Sequence, residues 1–155
     1  MKKFLLLIAV ALVVSCSTDE EDCCTIIDTG VSIKYLNGQG ENLLEVDGGI
    51  DVADINIYHK INNDWVKYFR GNLDYPKGFY TVERENGTYL VVFPSTTIGE
   101  SGYSETKIEF SETDFDILKT EVQKKNSSEI VTMVWYNDEL KWEGNQSERL
   151  IEVVK

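Results

Sequence analysis

The sequence predicts an all-β protein that folds as one antiparallel β-sandwich. Short segments in which apolar and polar residues alternate recur from residue 25 onward. Clusters of Gly, Asn, Asp and Ser separate these segments at the spacing of tight turns, and no long helical period competes with them. A chain of 155 residues suits one hydrophobic core, so we expect a single domain of two packed sheets.

The first elements are a strand over 31–35 and a hairpin. Residues 54–61 alternate strictly, and one face of this segment carries Ile55, Ile57, His59 and Ile61. The polar run 62–64 interrupts the pattern, so 65–70 is predicted as the return strand.

The remaining strands follow in chain order. A hairpin joins 79–84 to 88–93 through an Asn-Gly turn, and 107–110 opens a third group. Segments 130–136 and 140–142 form a hairpin around Asn137 and Asp138, and 150–154 closes the fold. The predicted inner faces include Ile55, Ile57, Val91, Phe93, Ile108, Val134 or Trp135, and Val153.

Residues 114–125 allow two interpretations. Phe115, Leu118 and Val122 would share one face of a helix, whereas 117–122 is rich in residues that favour a strand. We predict the strand, with a single helical turn as the alternative.

The N-terminus has the pattern of an export signal. Lys2 and Lys3 precede an apolar run of 11 residues, Phe4 to Val14. As a helix it would be about 16 Å long, too short for a hydrocarbon core of about 30 Å. The run ends in Val-Val-Ser-Cys, which resembles the lipobox of bacterial lipoproteins. That resemblance implies a signal peptide over 1–15 and a diacylated Cys16 as the mature N-terminus.

Four consecutive acids at 19–22 follow Cys16. They are similar to the export tag of Bacteroidota lipoproteins that reach the outer face of the outer membrane. We therefore expect a lipidated, acidic tether over 16–25, a folded domain over 26–155, and attachment to the outer membrane, facing outward. The vicinal pair Cys23 and Cys24 is interpreted as two tether thiols or an incidental cross-link, because no histidine or second cysteine pair accompanies it.

The body carries two further resemblances. Residues 31–58 (VSIKYLNGQGENLLEVDGGIDVADINIY) are similar to the opening of carboxypeptidase regulatory-like and transthyretin-like modules, with an insertion at 45–51. This implies a sandwich of the immunoglobulin-like or transthyretin-like type. The whole body, with NGQGENLL, DFDILKTEV and VWYNDELKW, also looks like Bacteroidota lipoproteins that have no assigned activity.

The net charge excludes one function class, nucleic-acid binding. The net charge is −12, and removal of 1–15 takes away two lysines and no acid, leaving 13 basic and 27 acidic residues, a charge of −14. Such a surface repels a polyanion, so nucleic acid is not an expected partner.

The catalytic candidates are few, and we expect no enzyme. The single histidine, His59, lies on a face with three isoleucines and is predicted as a strand residue at the core margin. The folded body has no cysteine, and Gly99-Glu100-Ser101-Gly102 is one residue short of a nucleophile elbow, so it is predicted as a loop.

Two patterns suggest ligands. Acidic loops would suit calcium, which prefers oxygen ligands, and they contain Asp47, Asp51, Asp54, Asp114 and Asp116. Exposed aromatic rings on a sheet face could stack on sugars, and the candidates are Trp142, Tyr136 and Tyr68, whereas Trp135 is predicted in the core. We therefore expect a non-catalytic binding or scaffold module, with a carbohydrate-binding accessory protein of a glycan-uptake system as the alternative.

Overall fold

The computed structural model describes residues 25–144 and 148–155. The export signal, Cys16, the acidic tether up to residue 24 and the Cys23–Cys24 pair lie outside these described residues. No helix in the described ranges is long and apolar enough to cross a membrane.

Eleven strands make up the regular structure of the described residues. They are β1 (Ile27–Asp28), β2 (Val31–Leu36), β3 (Asn56–Ile61), β4 (Asp64–Lys67), β5 (Phe79–Arg84), β6 (Gly87–Val92), β7 (Ser104–Glu109), β8 (Phe115–Lys125), β9 (Ser128–Tyr136), β10 (Glu139–Glu143) and β11 (Leu150–Val154). The prediction of a one-domain, all-β sandwich is confirmed.

The strands form two packed sheets. The large sheet has seven strands. Six follow the order β1-β9-β8-β7-β3-β4, and the seventh, β10, pairs with β9. The small sheet has the order β11-β2-β6-β5. One cluster of buried side chains from both sheets fills the space between them.

The sandwich is not purely antiparallel. The first and last strands both pair in parallel, β1 with β9 and β11 with β2. Strands joined by tight turns must run antiparallel, whereas β1 and β11 reach their partners through long stretches of chain and are free of that constraint. The expectation of antiparallel pairing therefore holds for the hairpins and is wrong for the terminal strands.

Asparagine and aspartate residues close the hairpins as predicted. Asn62 and Asn63 have positive φ values of 50° and 72° between β3 and β4, and Asn137 and Asp138 have values of 48° and 67° between β9 and β10. Two consecutive left-handed residues give a turn whose twist matches that of the flanking strands. The ambiguous segment 114–125 is a strand, β8, which confirms that prediction.

The core follows the alternation of side chains along the strands, but the prediction chose the wrong face for one strand. Ile55, Ile57 and Ile108 are fully buried as predicted, and Val134 rather than Trp135 is the buried member of its pair. On β6, however, Leu90 and Val92 face the core. Val91 is buried as predicted, with 6% exposure, but it lies outside the core cluster. It and Phe93, just beyond the end of β6, alternate with Leu90 and Val92 and so lie on the other side, where Phe93 packs on Tyr75 and Tyr80.

The long connection between β2 and β3 is packed against the core rather than left in solvent. Leu43, Leu44, Ile50 and Val52 contact the buried cluster. Gly49 makes this packing possible, because a Cβ atom at that position would lie 2.1 Å from the carbonyl oxygen of Leu43.

Candidate functional site

His59 lies where it was predicted, at the margin of the core. It is half-buried on β3, and its ring centroid is 4.6 Å from that of Tyr68. Burial lowers the pKa of His59, the positive charge of Arg70 lowers it further, and a hydrogen bond involving the Phe93 backbone opposes both. The imidazole is therefore held neutral at pH 7.

The predicted calcium ligands are not assembled into one site. Within residues 25–144 and 148–155, no three histidine, cysteine or acidic side chains are placed to hold a metal ion together. Asp51 instead accepts a hydrogen bond from the Ala53 amide at 2.8 Å, and Asp47 and Asp54 are exposed.

Asp114 and Asp116 are engaged by a lysine. The Lys155 ammonium lies 2.8 Å from Asp114 Oδ1 and 2.7 Å from Asp116 Oδ2. One ammonium group balances only one of the two negative charges, but it engages an oxygen of each carboxylate that was expected to bind calcium. Calcium binding by this loop stays a prediction.

Asp116 also belongs to a buried hydrogen-bond network that the sequence did not reveal. It accepts a hydrogen bond from the Tyr136 hydroxyl at 2.6 Å and another from the Asn137 amide at 2.7 Å. The Tyr136 and Tyr35 hydroxyls are 3.0 Å apart. Burial raises the pKa of both tyrosines, and the neighbouring Asp116 carboxylate adds to the effect, so both stay protonated.

The predicted aromatic platform is wrong. Trp142 is only 5% exposed and Tyr136 only 3%, because both project into the core. Tyr68 is half-buried and packs on His59. The three rings therefore do not share an open face, and a sugar could not stack on Trp142 or Tyr136.

Irregularities in strand pairing explain the error. The β8–β9 register shifts between Glu121 and Val122, and the β9–β10 register shifts between Leu140 and Trp142. Each shift reverses the side-chain alternation beyond it, which turns Trp142 inward and Trp135 outward. Without the shifts, Trp142 would pair with Met133 and lie on the same side of the sheet as Trp135, so strict alternation cannot place the two tryptophans on opposite sides. The prediction that Trp142 is exposed rested on its charged neighbours Lys141 and Glu143.

The structure shows a different aromatic surface, on the face of the large sheet that points away from the core. Its central feature is a row of side chains that crosses β4, β3, β7, β8 and β9, here called the tryptophan row. The row consists of Trp65, Lys60, Glu105, Lys119 and Trp135. A tryptophan thus ends the row on each side, and charged groups lie between.

Cation–π contacts and an ion pair order the tryptophan row. The Lys60 ammonium is 2.9 Å from Glu105 and 5.6 Å from the centre of the Trp65 ring. At the other end, the Lys119 ammonium is 5.4 Å from the Trp135 ring and 5.6 Å from the Tyr103 ring. Tyr103 packs edge-on against Trp135 at 5.0 Å. These contacts hold the rings in fixed orientations on an accessible face.

A cavity of about 500 Å³ opens beside the middle of the row. The β3–β4 turn and the loop before β7 form its walls, and the side chains that can bind a polar ligand there are Lys60, Asn62, Asn63, Glu100, Tyr103 and Glu105. It combines one aromatic wall with amide, carboxylate and ammonium groups. Residues 99–102, the segment one residue short of a nucleophile elbow, contain no strand, so the prediction of a loop is confirmed. Part of this loop lines the cavity.

No protein-family model, curated protein or solved structure matches this chain.

Proposed function

We propose that this protein is a lipid-anchored, non-catalytic binding module of the outer membrane, facing the cell exterior, and that it binds its ligand on the outer face of the large sheet. The anchor is Cys16, for the reasons given from the sequence. The single observation that supports the binding face is the tryptophan row. Large aromatic rings on an accessible face contribute nothing to the core, and such surfaces mark interaction sites.

A carbohydrate is the second candidate ligand class. The observation that favours it is the cavity beside the row, where the Tyr103 ring lies next to Asn62, Asn63 and Glu105. Sugars present apolar ring faces that stack on aromatic side chains and hydroxyl groups that pair with amides and carboxylates. This cavity offers both kinds of group within about 500 Å³.

The proposal is tested with glycan and host-protein arrays probed by residues 25–155. We expect one class of ligand to bind, and Trp65→Ala and Tyr103→Ala to weaken that binding roughly tenfold, equivalent to about 1.4 kcal/mol for a lost ring contact. The matched control is Tyr75→Ala, because Tyr75 is also an exposed ring but stacks on Tyr80 of the small sheet.

The outcomes separate the two candidates. Binding of glycans that requires Tyr103 supports the carbohydrate ligand. Binding of proteins alone refutes the carbohydrate ligand and retains the proposal of a non-catalytic binding module. A ligand whose affinity falls equally in the Tyr75→Ala control would show that the tryptophan row is not the binding face.

The anchor has its own test. Mass spectrometry of the N-terminus should find an acylated Cys16, and Cys16→Ser should release the protein from membranes. Burial of acyl chains contributes about 0.8 kcal/mol per CH₂, which is enough for stable attachment by two or three chains. An unmodified terminus at another residue would refute the lipid anchor.

A further inference from the structure

A groove with exposed apolar side chains lies at the end of the sandwich where the described chain begins. Its volume is about 580 Å³. The β3–β4 hairpin and the residues after it form one wall, and residues 93–97 together with Ile27 of β1 form the other.

The apolar groups of this groove are open to solvent rather than used by the core. Ile27 is 61% exposed, Val66 47% and Phe69 65%. Three large apolar side chains around one groove form a patch of the kind that soluble surfaces rarely present without a partner. None of these three side chains belongs to the buried core cluster.

The charge around the groove is opposite to that of the rest of the chain. Lys67 and Arg70 line it, and its described lining contains no acidic residue. The chain as a whole carries 27 acids against 15 bases. Two basic groups on one wall of the groove, beside exposed apolar side chains, complement a surface that has anionic groups above an apolar layer.

The position of the groove relative to the proposed anchor points to the same partner. The described chain starts at Thr25, nine residues after Cys16, so an extended connection spans at most about 32 Å. The other end of the chain lies far from the groove, because β11 pairs with β2 such that Val154 lies beside Leu36, roughly 17 Å along β2 from its first residue.

We propose that this groove rests on the phospholipid bilayer that holds the protein's own anchor, with Ile27, Val66 and Phe69 at the level of the headgroups and Lys67 and Arg70 on lipid phosphates. This inference rests on the proposed lipid anchor. It fixes the orientation of the domain: the β3–β4 turn points to the membrane, and the tryptophan row stands beside the bilayer rather than against it.

The test replaces the lipid anchor by a chemical one. Residues 25–155 with an N-terminal hexahistidine tag are bound to vesicles of phosphatidylcholine and phosphatidylglycerol that contain a nickel-chelating lipid and brominated acyl chains. Trp65 precedes Val66 on β4 and faces the other side of the strand, in the row that stands beside the bilayer. Brominated chains close to the headgroups should therefore quench the part of the fluorescence that Trp65 contributes among the three tryptophans. We expect quenching by brominated lipid, and weaker quenching when the tag is moved to the C-terminus.

Two sets of variants and one control make the test specific. Val66→Ser with Phe69→Ser, and separately Lys67→Gln with Arg70→Gln, should lose most of the quenching while the melting temperature is retained, because these apolar side chains are exposed. The control is Phe115→Ser, which removes another exposed ring (52%, against 65% for Phe69) at the far end of the large sheet, and this variant should be quenched like the wild type.

Each outcome decides the inference. Equal quenching of the wild type and both variants would overturn it, as would a lipid-free dimer that Phe69→Ser dissociates, since the groove would then hold a second copy. The histidine tag replaces the lipid anchor in this test. A negative quenching result therefore leaves the array result and the mass spectrometry of Cys16 unaffected, and negative results in those two experiments leave the quenching result interpretable.

Discussion

His59 gives the fold a pH dependence that a single residue explains. It is the only histidine in the chain, and burial lowers its pKa from an unfolded value of 6.5. The unfolded chain therefore binds a proton more readily than the folded one. Titration of His59 should leave the free energy of unfolding unchanged well above pH 6.5 and should lower it as the pH decreases below that value.

Urea unfolding between pH 7.5 and 5 measures this effect, and His59→Gln is the control, because glutamine does not titrate. Carboxylates titrate mainly near pH 4, so they contribute little in this window. A variant that loses stability as steeply as the wild type would show that another group is responsible.

Tyr136 is the donor in the buried hydrogen-bond network with Asp116 and Tyr35. Tyr136→Phe removes the donor to Asp116 and leaves a buried carboxylate with fewer partners, so we expect a loss of about 1 to 2 kcal/mol in the free energy of unfolding. Tyr58→Phe is the comparison, because its hydroxyl also donates to a carboxylate, Glu109, but where water can replace it.

Denaturant titration of both variants checks this prediction. The Tyr58→Phe loss should be the smaller of the two. Equal losses would mean that burial of the Tyr136 network contributes nothing beyond the hydrogen bond.

At the scale of strands, β3 contributes both to the core and to the groove. Ile57 is 1% exposed, whereas Ile61, on the same face of the same strand, is 36% exposed. We expect Ile57→Ala to cost about 2 to 5 kcal/mol, as for other buried large-to-small changes, and Ile61→Ala to cost clearly less. Thermal or chemical unfolding of the two variants gives the comparison, and a similar cost for both would contradict the burial pattern.

Strands and turns could be predicted from the sequence because their signals are local. Asn62-Asn63 and Asn137-Asp138 adopt left-handed backbone conformations that few other residues tolerate. The two turns can therefore be recognised from the sequence. The orientation of side chains beyond a bulge is not local. The residues around Trp142 carry no signal for the β9–β10 register shift that precedes it. Its charged neighbours Lys141 and Glu143 favoured the prediction that it is exposed, and that prediction is wrong.

Candidate sites were predicted less well for the same reason. Asp116 is part of an acidic cluster in the sequence, but its partner Lys155 is 39 residues away. The tryptophan row joins residues of five strands, and it exists only because registers of separate hairpins coincide. A residue such as Trp65 offers no sequence signal beyond its position on a strand.

At the scale of the whole molecule, the two terminal strands differ in importance. β11 places Ile151 and Val153 in the core, whereas both residues of β1 are exposed. Truncation after Glu148 should therefore cost about 3 to 6 kcal/mol from lost apolar burial alone, a large part of the stability of a domain of this size.

Deletion of residues 25–28 is the control for that truncation, since it removes β1 and spares the core. Calorimetry should show a cooperative transition for the β1 deletion and a weakened or absent one for the β11 deletion. A fully stable protein without β11 would contradict the role of this strand.

The parallel pairing of β11 with β2 also sets the order of events in folding. Ser32 pairs with Leu150, so the small sheet cannot be completed until the segment up to β11 is available. Contacts this distant in sequence close slowly. The proposed anchor requires export of an unfolded chain through a translocation channel. Slow pairing of β11 with β2 would keep the polypeptide unfolded during that passage, and the small sheet would close once β11 has crossed.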